Sequence, residues 1–233
     1  MAVFLEPDKT RIENGILIKE KIIPDGNKLK PNRPLASGTP EYITIHNTPD
    51  INEARGTTDA EQYARATFNG NMNNVSVHYY IDESDCWQIL RENEMGYHSA
   101  DGNDGPGNSR SLAIEIIMDG SGRDYDVKAE DRGAKLAAAL LVKYGLGIDR
   151  LATHNRWYSP KYCPCYILPH WDKFKAKVQE YMSAIKKAEE ATKTLYRVQI
   201  GAFHNLEYAK NMANEVRKAG FEAAIIVAEY PCS

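Results

Sequence analysis

No apolar run in the chain approaches the roughly 20 residues needed to cross a bilayer, which argues against membrane insertion. The N-terminus, Met1-Ala2-Val3-Phe4-Leu5-Glu6-Pro7, lacks a charged segment followed by an apolar one, so no export signal is read there. Cysteine is scarce: Cys86, Cys163, Cys165 and Cys232 are too widely and unevenly spaced for a small disulfide framework. With one residue between them, Cys163 and Cys165 are poorly placed to bridge each other, and a free thiolate or metal ligand is the better reading. Neither charge dominates. The balance of 29 basic against 32 acidic side chains leaves −3, with no net pull toward nucleic acid or anionic membranes.

What is present is ordinary globular material: 233 residues, 42% apolar and 26% charged, with three Trp and fourteen Tyr. That length suits one substantial core plus something small. Residues 1–40, punctuated by Pro24, Gly26, Pro31, Pro34 and Gly38, read as an irregular arm. Tyr42-Ile43-Thr44-Ile45-His46 alternates and is β-branched, which predicts a half-buried strand ending at a histidine. Thr58 and Glu61 have the spacing of a capping box for a helix over 59–68 that stops at Gly70. Val75–Ile81 and Cys86–Leu90, separated by Asp82-Glu83-Ser84-Asp85, predict a hairpin.

A Gly- and Asn-rich loop over 100–109 leads to Leu112-Ala113-Ile114-Glu115-Ile116-Ile117, whose near-continuous apolar character suits a central strand. Leu136, Ala137, Leu140, Leu141 and Tyr144 mark a packing helix over 128–144, and a further helix is expected from Pro169 into Lys187. The Lys-, Glu- and Ala-rich stretch 183–194 reads as a solvated helix end or linker and sets the domain boundary. Past it, 195–200 and 223–227 predict strands around a helix over 206–219, a single small βαβ unit spanning 195–233.

His46, His154 and Cys163 form one chemical candidate, since two imidazoles and a thiolate are a ligand set zinc enzymes use while keeping a fourth position for water. Taken singly, each is more readily a structural residue. Glu115 interrupts an apolar strand with Ala113 and Ile117 on its own face, and a carboxylate among such neighbours usually has a partner or a task. The alternative is an exposed face of an edge strand.

Three strings then act together. Ile43-Thr44-Ile45-His46-Asn47-Thr48, Leu112-Ala113-Ile114-Glu115-Ile116, and His154-Asn155-Arg156-Trp157 followed by Lys161-Tyr162-Cys163-Pro164 resemble, in order, the signature of type 2 N-acetylmuramoyl-L-alanine amidases over about residues 40–180. The resemblance implies an α/β fold with a mixed central sheet flanked by helices, over residues 1–182. It also implies Zn2+ on His46, His154 and Cys163, a catalytic Glu115 and an oxyanion-stabilising Lys161. The family's Cys-Pro pair is matched by Cys163-Pro164 and not by Cys165-Tyr166. His78, within a strand, and His98, at the lip of the groove, are implied as substrate contacts; the competing reading of His78 is a satisfied histidine on a sheet face. The implied partner is peptidoglycan, reached after cytoplasmic accumulation and release, or by a non-standard export route.

Tyr196-Arg197-Val198-Gln199-Ile200-Gly201-Ala202-Phe203, with Ala209 and Gly220-Phe221, resembles the sporulation-related (SPOR) repeat that binds glycan strands. Only the first of its two βαβ halves is matched. A lone half leaves sheet edges open, which predicts either a chain cut short or pairing with a second copy. Two further readings compete with the amidase: a recognition module that holds muropeptide without cutting it, and a metal-free hydrolase with Cys163 as nucleophile.

Overall fold

Asn14 and Gly15 both take positive φ, 47° and 75°, as a two-residue hairpin turn requires. They join β1 (Lys9–Glu13) to β2 (Ile16–Glu20) as an antiparallel pair. The expected irregular arm is therefore corrected. Pro24, Pro31 and Pro34 lie beyond the hairpin, while Ile16 and Ile18 are buried in the core. The computed structural model describes residues 4–48, 58–193 and 201–220. Two compact units divide the chain, Met1–Glu190 and Ala191–Ser233.

In the first unit, β3 (Tyr42–Thr48) precedes α1 (Asp59–Phe68), whose cap Thr58 accepts a hydrogen bond from Glu61 N at 3.2 Å. β4 (Tyr79–Ile81) and β5 (Cys86–Gln88) form the expected hairpin, shorter than read, with His78 just ahead of β4. The acidic turn between them is an anchor. Asp82 Oδ2 accepts from Ala60 N at 2.8 Å, while Asp85 Oδ2 accepts from Trp87 Nε1, Lys19 Nζ and Thr58 Oγ1. These bonds tie the start of α1 and strand β2 to the hairpin.

The expected Gly-rich loop contains one helical turn, α2 (Pro106–Arg110), before β6 (Ser111–Ile117). Next come α3 (Asp124–Lys143), β7 (Leu151–Thr153), the short α4 (His154–Trp157) and α5 (Trp171–Lys193). α3 starts a turn earlier than its apolar spacing suggests, because Asp126 accepts from Asp119 N and Gly122 N, both at 2.8 Å, and closes the preceding loop.

Among the described residues, seven strands form one mixed sheet in the order β1-β2-β5-β4-β6-β3-β7. β6, β3 and β7 run parallel at its heart and far edge. One face carries Ile43, Ile45, Tyr79, Ile114 and Ile116 against α3 and α5, through Leu136, Leu140, Phe174 and Val178. At Gly133 an added Cβ would lie 2.2 Å from Ile116 Cδ1, so glycine lets α3 approach β6 this closely. The other face packs Tyr80, Ala113 and Ile117 against Ala60 and Ala64 of α1 and, beside them, holds Thr44, His46 and Thr48 of β3 and Glu115 of β6.

In the second unit α6 (Leu206–Lys218) begins at Asn205, whose side chain accepts from Glu207 N at 2.8 Å, and stops before Gly220 at φ 89°. The strands expected over 195–200 and 223–227 lie outside the described residues. Among the described residues no helix is long and apolar enough to cross a membrane.

Candidate active site

Strand register assembles the site. In the β3–β6 ladder His46 stands opposite Glu115, and in the β3–β7 ladder Ile45 stands opposite Thr153. His154 follows at once, opening α4, which Thr153 caps by accepting from Arg156 N at 3.2 Å. Cys163 arrives on a loop tied back to α4: Asn155 N donates to Cys163 O and Asn155 Nδ2 to Lys161 O, both at 2.9 Å. All of this lies at the carboxyl ends of parallel strands, where α/β sheets commonly place ligands.

His46 Nδ1 is 3.1 Å from His154 Nδ1 and 3.8 Å from Cys163 Sγ. The ligand atoms of these three buried residues all lie within 4.8 Å of one another. Burial, then His154 and Lys161, drive His46 well below the usual histidine range, and burial with Lys161 lowers His154 to about 4. Both imidazoles are therefore neutral near pH 7, the form in which histidine binds a metal. Two neutral imidazoles and a thiol, gathered in a buried cluster, fit a metal ion and leave room in its shell for water.

Glu115 is part-buried and accepts a short hydrogen bond from Thr48 Oγ1. Burial pushes its carboxyl up to about 7, opposed by Thr48 and by the charge of Lys161. Lys161 is exposed, yet its charge acts on His46, His154, Glu115 and Cys163 alike. Burial, assisted by Glu115, pushes the Cys163 thiol up to about 12.

The two histidines expected as substrate contacts, His78 within a strand and His98 at the lip of a groove, are both buried. His78 is fully buried; its Nδ1 accepts from Ala113 N at 3.0 Å and its Nε2 donates to Glu94 O at 2.9 Å. With both ring nitrogens committed, it staples strand β6 to the 94–98 loop and has none left for substrate. His98 is buried as well, and its Nδ1 lies 3.1 Å from His46 Nε2. It stands against a candidate ligand, His46.

Sequence reading passed over Thr48, Asn47 and Asn108. Thr48 shares the face of His46 two residues on, so strand alternation could have marked it. Asn47 donates to Ile116 O at 3.0 Å and accepts from Tyr166 N at 3.1 Å, pinning the chain just after Cys163 to the sheet. Asn108 Oδ1 accepts from His98 N and Ser99 N, both at 2.8 Å; no local pattern announces a contact of that kind.

Comparison with known proteins agrees with this geometry. A family described as N-acetylmuramoyl-L-alanine amidase matches residues 36–166, and the SPOR domain matches residues 171–230. The SPOR match takes in α5, whose Phe174, Val178 and Met182 lie in the core of the first unit. The N-acetylmuramoyl-L-alanine amidase XlyB of Bacillus subtilis is 36% identical over 167 residues, covering 69% of this chain and 50% of that protein. CwlH of the same organism is 36% identical over 159 residues, covering 68% of this chain and 60% of its own length. The chain thus spans about half to three-fifths of these relatives. The solved catalytic domain of XlyA superposes with a TM-score of 0.60 at 35% identity, covering 69% of this chain and 98% of that one. PlyL gives 0.61 at 31% identity, covering 69% and 96%.

Proposed function

The chain belongs to the N-acetylmuramoyl-L-alanine amidase family, and from that premise we propose that it cleaves the amide between N-acetylmuramic acid and L-alanine in peptidoglycan, with zinc held by His46, His154 and Cys163. The observation that carries the reading is the buried cluster of those donors with Glu115 directly across the strand ladder.

Zinc bound there would polarise the scissile carbonyl and bring the pKa of a water down to about 7. Glu115 takes the proton from the attacking water and passes it to the departing amine, a transfer suited to a carboxyl poised near 7. Thr48 holds one carboxylate oxygen of Glu115 by a hydrogen bond and leaves the other to act on the proton. Lys161 offsets the charge that develops on the carbonyl oxygen. Water's oxygen ends on the lactyl carboxylate, the C–N bond breaks, and L-alanine leaves with a free amino terminus. The SPOR domain supports a second contact with the wall's glycan strands.

A thiol-nucleophile hydrolase would use the same residues, but a Cys163 thiol pushed up to about 12 is a poor source of thiolate. The deciding experiment measures zinc content together with release of L-alanine amino termini from purified walls, before and after chelation. Stoichiometric zinc with chelator-sensitive release supports the amidase. Zinc without cleavage points to a recognition module, and cleavage without zinc to the thiol mechanism.

A further inference from the structure

We infer that Asn155 is a positioning residue for Lys161: its side-chain amide holds the carbonyls of Ser159 and Lys161 together, and so fixes the backbone from which Lys161 acts on the site. The catalytic half of this statement rests on the role proposed above for Lys161; the hold on the loop stands on the geometry alone.

Residues 158–162 are all exposed, Tyr158 by 43% and Tyr162 by 62%. Side chains that face solvent do not set the course of a backbone by packing, so hydrogen bonds have to do it. At Lys161 both backbone groups are committed. Its N donates to Tyr158 O at 3.0 Å, and its O accepts from Cys163 N and from Asn155 Nδ2, both at 2.9 Å. Asn155 Nδ2 also donates to Ser159 O at 2.9 Å. The amide nitrogen of asparagine carries two protons and here meets two carbonyls, one on each side of Pro160. Turning the amide over would set its oxygen against both, which fixes the assignment. Pro160 has no N–H of its own to offer, so the donor that closes this part of the loop has to come from outside it.

Asn155 can hold the loop because it is held itself. It follows His154 in α4, where Thr153 accepts from Arg156 N at 3.2 Å and Tyr158 N donates to His154 O at 3.1 Å. Thr153 in turn is paired with Ile45 in the sheet. Asn155 N donates to Cys163 O at 2.9 Å. One residue therefore fastens the loop twice, by its main chain at Cys163 and by its side chain at Ser159 and Lys161. Truncating the side chain removes the second tie and leaves the first, which separates Lys161 from Cys163 experimentally. Lysine carries its charge on a flexible four-carbon stem, so a fixed main chain is what keeps the ammonium near one oxygen. Stabilisation of a developing charge depends on placement in advance, and a displacement of about 1 Å can cost about 10²-fold.

The test uses the zinc-loaded full chain as wild type, Asn155→Ala, Asn155→Asp, Lys161→Met and the double variant Asn155→Ala/Lys161→Met, with a soluble muropeptide as substrate. Aspartate keeps the shape of asparagine but, when ionised, only accepts. Asn155→Ala and Asn155→Asp are expected to keep stoichiometric zinc and the wild-type KM while kcat falls by about 10–100-fold. The double variant should be no slower than Lys161→Met alone, since the amide acts through the lysine. Hydrogen exchange, read by NMR without substrate, should quicken about tenfold at the Lys161 and Cys163 amides in Asn155→Ala. Wild-type kcat in Asn155→Asp would overturn the inference, as would unchanged exchange. Losses that multiply in the double variant would reduce Asn155 to a structural residue, and loss of zinc from Asn155→Ala would assign its side chain to Cys163 instead. A wild type that cleaves nothing removes the amidase reading, and the exchange rates then decide alone whether Asn155 fixes the Lys161 backbone.

Discussion

Replacing Glu115 by Gln in the metal-free protein isolates what burial does to the proposed proton carrier. An ordinary glutamate titrates near 4.5, and in this fold burial raises Glu115 to about 7. Between those values the folded chain keeps a proton that the unfolded chain has released. Stability is therefore unaffected by this group below 4.5 and falls as pH rises toward 7. At about 1.4 kcal/mol for each pH unit, the separation corresponds to about 3 kcal/mol, which partial exposure of the side chain reduces to about 2. Glutamine does not titrate, and its amide oxygen can still accept from Thr48. Chelator-treated Glu115→Gln should match wild type in urea unfolding at pH 4 and exceed it by about 2 kcal/mol at pH 8. The groups whose protonation Glu115 shifts, Tyr80 and Cys163, stay protonated from pH 4 to 8 in both proteins, so a difference that is the same at both pH values would refute the argument that burial has raised this carboxyl.

With zinc restored, the same Glu115→Gln should keep its metal yet lose about 10²-fold or more in turnover; wild-type rates would remove Glu115 from the mechanism. Cys163→Ser should lose most of its zinc affinity while Cys165→Ser keeps it, and metal analysis showing the reverse would reassign the thiol ligand. Lys161→Met is expected to lower kcat by about 10²-fold with little change in thermal midpoint, since the side chain is exposed. Gly133→Ala should cost about 1–3 kcal/mol, because the new methyl meets Ile116 at the interface of α3 and β6; an unchanged urea midpoint would show that the helix can retreat freely.

Local pattern was enough for β3, α1, α3 and β6, since each has a periodicity, a cap or a stop of its own: Thr58 before α1, Gly145 after α3, alternation through Ile43 and Ile45. The Asn14-Gly15 pair is an equally legible signal for the first hairpin, although the prolines that follow it give the segment an irregular composition. β7 has only three residues, too few for any period to register. The motif strings picked out His46, Glu115, His154, Lys161 and Cys163 as a set, but a string carries no distances. Whether His46 meets Glu115 and His154 depends on the parallel register of β3 with β6 and β7, and a one-residue slip would turn those side chains to the opposite face. The histidines show the limit most clearly. His78 and His98 look alike in the sequence, yet one is consumed by Ala113 N and Glu94 O and the other lies against His46. Apart from the adjacent Ser99, their partners come from residues 10 to 52 positions away, and contacts over such separations are decided by long-range packing, which only the folded chain contains.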